Sequence, residues 1–133
     1  MNRKHIAQIF VRYALAITFL SAVADRFGLW GAPGQANIAW GNFANFLQYT
    51  GVLTPWAPKA LVPFLGGAAT TLEIIFALAL LIGYKAKWAA LGSALLLLIF
   101  ALSMAATTGL KSPLDYSVFT ASAAAFLLFA MAE

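Results

Sequence analysis

The chain has no cysteine and only one histidine, His5. Without cysteine there is no disulfide, thiolate metal site or dithiol redox couple, so any redox role must rest on a bound cofactor or a partner. Without a second histidine no metal centre is expected. Charge is scarce too: 9% of the 133 residues carry it, against about a quarter in an ordinary soluble domain. The basic residues are scattered at Arg3, Lys4, Arg12, Arg26, Lys59, Lys85, Lys87 and Lys111. No basic face emerges, so nucleic acid is excluded as a partner, and the charges fit topology or contact with anionic lipid head groups. Serines at 21, 93, 103, 117 and 122 lack an interior histidine to activate them, and no autonomous enzyme is expected.

What the chain does have is apolar length: 63% hydrophobic residues and a mean hydropathy of +0.89. At about 20 residues per crossing this allows four spans and one sizeable loop. The expected fold is an all-α integral membrane four-helix bundle, one four-span domain over residues 1–133. The spans are placed at 6–24, 61–82, 88–107 and 114–131, with an aromatic loop at 27–58 carrying a short interfacial helix.

The stretch Leu61–Ile82 carries an acid, Glu73, near its middle. At about 100° per residue, Gly66, Ala69, Thr70 and Ala77 share its face, with Phe76 and Leu80 on the later turns. Small residues let a neighbouring helix approach, and a carboxyl in hydrocarbon has to face protein or water, so Glu73 points inward. On the first span His5, Gln8, Arg12, Phe19 and Arg26 form one broad stripe. Tyr13–Leu20 also reads as the apolar part of a secretory signal, with Ala22-Val23-Ala24 as a cleavage site before Asp25.

In the loop, Trp30-Gly31-Ala32-Pro33-Gly34 reads as turns, and Asn37–Thr50 as an amphipathic helix at the interface. Trp30, Trp40, Tyr49 and Trp56 belong to an aromatic belt, or to a lid over an interior site. Proline at 63 and Gly83 bracket the second span. On the third, Gly92, Ser103 and Ala106 form the least bulky stripe, together with Ile99. For the last, Ser112 suits an N-cap, Pro113 the first helical position and Asp115 the first turn; Ala121, Ala124 and Ala125 supply its packing face.

The charge bias places both termini in the cytoplasm and the aromatic loop outside. Measured from the cytoplasmic ends of their spans, Arg12 lies about 9 Å deep and Glu73 about 14 Å, within reach of a salt bridge or water-linked pair, with the cytoplasmic head-group layer as the alternative partner for Arg12. Arg12, Glu73 and Thr70 then form an interior candidate site, and Asp25 with Arg26 a separate one at the outer end.

These features resemble the DoxX/DoxX-like family of small four-helix membrane proteins. The shared points are an arginine early in the first span (Arg12), a proline leading into a helix with a glutamate (Pro63, Glu73), and the turn Leu80-Leu81-Ile82-Gly83-Tyr84-Lys85-Ala86-Lys87-Trp88-Ala89-Ala90. The chain departs from the family at Ala24-Asp25-Arg26, where relatives often carry a glycine followed by a lysine. The resemblance implies a bacterial inner-membrane protein that acts as an accessory subunit of a redox or maturation complex. It also implies a partner protein and a quinone or lipid near Glu73. The residues leave two other functions open, a proton-coupled transporter using Glu73 and a purely structural membrane component; the oligomeric state, including a homo-oligomer, is open as well.

Overall fold

The computed structural model describes residues 2–132 and is all-helical, with no strand among them. Helix α1 spans Arg3–Arg26, and its N-cap Asn2 accepts a hydrogen bond from the His5 amide at 2.8 Å. Helix α2, Phe43–Leu53, lies in the long loop and is capped by Asn42, whose side chain accepts from the Asn45 amide at 2.7 Å. A 3-10 turn, Lys59–Leu61, leads into α3, Val62–Ile82, with proline in its first turn. Gly83 ends α3 at φ 79°, a left-handed conformation that glycine adopts at no steric cost. Helix α4 covers Ala86–Thr107, α5 Lys111–Asp115 and α6 Val118–Met131.

Three of these stretches, Arg3–Arg26, Lys59–Ile82 and Ala86–Thr107, are long and apolar enough to cross a membrane, while Val118–Met131 is apolar but shorter. The four long elements pack in a ring, α1 on α3, α3 on α4, α4 on α6 and α6 on α1. Gln8 Nε2 donates to the Met131 carbonyl at 3.0 Å, so the start of α1 and the end of α6 lie at one end of the bundle, here the terminal end; the long loop lies at the other, the loop end.

The core is built from the stripe read on α3: Gly66, Thr70, Glu73, Ala77 and Leu80 are its buried residues. Leu15, Ala16 and Phe19 of α1, Ala89, Ala90 and Ala94 of α4, and Ala125 and Leu128 of α6 complete it. The α4 face differs from expectation. Its buried residues are Ala89, Ala90, Ser93, Ala94, Ala101 and Met104, whereas Ile99 and Ala106 are exposed. The alanines let α6 come close enough for the Ser122 hydroxyl to donate to the Ala94 carbonyl at 2.8 Å. Gly92 receives the Phe76 ring instead, since a Cβ there would lie 2.5 Å from that ring.

The last crossing is also corrected. Ser112 does not cap it: the helix begins at Lys111, and Pro113 is buried within the first turn, where its missing N–H removes no bond. Asp115 closes α5 and pairs with Lys111, and Ser117 at φ 57° separates α5 from α6. In the loop, helix starts at Phe43 rather than Asn37, because Asn37 at φ 66° and Gly41 at φ 78° turn the preceding backbone. Its buried face, Phe46, Thr50 and Leu53, packs on α3, where Gly66 leaves room for Phe46 and Leu47.

Candidate functional site

Arg26 and Glu73 meet inside the bundle, at 2% and 3% exposure. Arg26 Nη1 donates to Glu73 Oε2 and, at 2.9 Å, to the Thr70 hydroxyl; Nη2 donates to Glu73 Oε1 at 3.2 Å. Both carboxylate oxygens are therefore held by one guanidinium, the fork-on-fork arrangement for which arginine is suited. The Thr70 hydroxyl in turn donates to the Gly66 carbonyl at 2.8 Å. Above the ion pair lie two loop aromatics: the guanidinium carbon is 3.8 Å from the Phe46 ring centre and 5.2 Å from that of Trp40. A desolvated cation on aromatic faces gains about 2 kcal/mol, which offsets part of the cost of burying it.

The expected Arg12–Glu73 bridge is not formed. Arg12 Nε donates to the Leu80 carbonyl at 2.8 Å and Nη2 to the Leu81 carbonyl at 3.4 Å, so Arg12 closes the C-terminal turn of α3. The reason is side-chain direction. Helical side chains lean toward their own N-terminus, and α1 and α3 run antiparallel, so Arg12 leans to the terminal end while Glu73 leans to the loop end. With Arg12 level with Leu80, Arg26 lies about 21 Å toward the loop end along α1, and Glu73 about 10 Å toward the loop end, back along α3. The two side chains then lean toward each other across the gap. The interior and outer-end candidate sites thus share one ion pair, and Arg12 belongs to neither.

Asp25 anchors the loop. Its carboxylate accepts three backbone amides, Ala39 at 2.9 Å, Trp40 at 2.8 Å and Gly41 at 2.9 Å. Adjacent residues of α1 therefore have separate tasks: Asp25 fixes the segment that carries Trp40, and Arg26 holds α3 beneath it. Trp30 Nε1 donates to the Ser21 carbonyl and hydroxyl of α1, both at 3.1 Å. Tyr49 packs beside Trp40 with ring centres 6.0 Å apart, and burial pushes its phenol pKa above the ordinary value. Trp56 is 71% exposed at the mouth of an apolar groove of about 240 Å³ between α2, α3 and α4. Phe46, Thr50, Leu65, Leu72, Leu96 and Ile99 are among the residues that line it.

Sequence reasoning missed Phe46, the residue closest to the buried guanidinium, and the amide cage around Asp25. The available signal for Phe46 was helical spacing: Phe46, Thr50 and Leu53 recur at the interval of one helix face. For Asp25 it was the Gly41 turn, whose amides, turned away from any helix, need an acceptor.

No curated protein matches this chain, and neither does any solved structure. No match to the DoxX-like family was found; the family that does match is likewise one of small membrane proteins. Residues 4–113, the greater part of the chain, match the family described as methylamine utilisation protein MauE, and the chain belongs to that family.

Proposed function

We propose that this protein is a membrane accessory subunit of a redox or maturation system, with the loop end of the bundle as its working surface. Membership of the MauE family supports the accessory role. The observation that carries the location is the double anchoring of the loop: Asp25 holds residues 39–41 while Arg26, bound to Glu73, lies under Trp40 and Phe46. A loop built this firmly presents a fixed surface to a partner. The proposal extends to a bacterial inner membrane, with both termini cytoplasmic and the loop outside, and to a quinone or lipid held near Glu73. Affinity capture from native membranes, with mass spectrometry of proteins and of extracted small molecules, tests it. A partner in defined stoichiometry is expected; its absence contradicts the accessory role.

A second function has an observation of its own. Glu73 is bound through both oxygens, which suits a clasp that only holds helices together and disfavours proton exchange. Proteoliposomes should then show no flux driven by a pH gradient that disappears in Glu73→Gln. A flux of that kind would restore the transporter.

A further inference from the structure

The buried cluster is satisfied except at one atom. Arg26 Nε is enclosed and has no hydrogen-bond partner, while the two terminal nitrogens of the same guanidinium are bound to Glu73 and Thr70. A buried donor left unpaired is unfavourable, the more so on a charged group, so an acceptor that reaches it relieves that cost. The charge balance restricts which acceptor. Arg26 and Glu73 already cancel, and an anionic group brought to Nε would leave a net negative charge in the interior. A neutral oxygen, such as a carbonyl, leaves the pair balanced.

One side chain, Phe46, separates the apolar groove from this cluster: it lines the groove, and its ring centre lies 3.8 Å from the Arg26 guanidinium carbon. From there it runs along α3 past Leu65 and Leu72 and along α4 past Ile99 and Leu96, with Trp56 at its loop-end mouth. Its lining is almost entirely apolar side chain and fits a hydrocarbon tail. Arg26 is the last residue of α1, near the level at which a bilayer changes from hydrocarbon to head groups. Acyl ester carbonyls lie at that level, on top of chains that would occupy such a groove.

We propose that the groove binds one membrane acyl lipid, with its ester carbonyl accepting from Arg26 Nε once the Phe46 ring turns aside and its chain lying between α3 and α4. This deepens the lipid or quinone site proposed above by naming the donor, the gate and the ligand, and it rests on that site but not on the partner. The full chain, labelled with 15N-arginine, is studied by solid-state NMR in phosphatidylcholine nanodiscs. In one sample the lipid ester carbonyls carry 13C; in a second, decylubiquinone with 13C-labelled ring carbonyls is added. Arg26→Lys identifies the Arg26 signal among the three arginines. Dipolar coupling between Nε and the ester carbon is expected, at a separation of about 4 Å, and is lost in Leu72→Trp, which fills the groove while the Arg26 terminal-nitrogen signals stay in place. Coupling to the quinone alone, coupling to neither probe, or ester coupling that survives Leu72→Trp each overturns the assignment. Lost coupling with partner capture intact separates the failure of this site from that of the accessory role.

Discussion

Arg26 and Glu73 are the two residues on which the interior depends, and their geometry separates them from the other charges. Each is buried and has the other as its charged partner, so removing one strands an ion in a low-dielectric interior. Arg12 is different: it is half-buried and binds carbonyls at the end of α3, where a cation also meets the negative end of the helix dipole. Arg12→Gln is therefore expected to cost about 1 kcal/mol, seen as earlier fraying of residues 79–83 in hydrogen exchange. Asp25→Asn loses the charge that strengthens three amide bonds. The amides of Ala39, Trp40 and Gly41 should then exchange at least about tenfold faster, equivalent to 1.4 kcal/mol or more, while the core amides of α3 hold their rate. At this scale the sequence disclosed that Glu73 faces inward, that Thr70 shares its face and that Arg26 is a candidate. It did not disclose the partner of Glu73, because depth along two helices was compared without the lean of their side chains. That lean favours the higher arginine over the lower one.

Among the helices, α3 was the most legible. Its small stripe is the buried face, and glycine and proline mark its ends. Helix α4 was the least legible, because nearly every face is apolar and several are small; packing against α6 decides which of the small faces is buried. The break before α6 was equally hidden, since Ser117 in a left-handed conformation carries no glycine signal. Two glycines provide a matched test of the packing. A Cβ at Gly92 would lie 2.5 Å from the Phe76 ring, whereas one at Gly67 would meet nothing within 4 Å. Gly92→Ala should destabilise by about 1–3 kcal/mol in chemical unfolding. Gly67→Ala should stabilise slightly, by up to about 1 kcal/mol, because alanine is the better helix former. Equal effects at the two sites would contradict the packing of α3 on α4.

For the whole molecule, composition alone was enough for an all-helical membrane bundle, since so few charges and so much apolar surface leave no soluble alternative. The ring of α1, α3, α4 and α6 places residues 2 and 87 at the terminal end and residues 35 and 111 at the loop end. As the chain has no native cysteine, single cysteines at these positions report on the arrangement directly. Asn2→Cys and Lys87→Cys should react with an impermeant maleimide from one side of the membrane, Gln35→Cys and Lys111→Cys from the other. Mixed labelling within either pair would break the topology. Family membership was less legible. The residues that suggested DoxX-like proteins drew no match to that family, and residues 4–113 match MauE, likewise a family of small membrane proteins.

The account centres on one ion pair that ties the loop end of α1 to the middle of α3, and a double-mutant cycle on Arg26 and Glu73 tests it most directly. Unfolding in bicelles should show Arg26→Leu and Glu73→Leu each destabilised by about 3–5 kcal/mol, with the double variant close to the native protein or above it. Additive losses in the double variant would show that the two residues do not depend on each other.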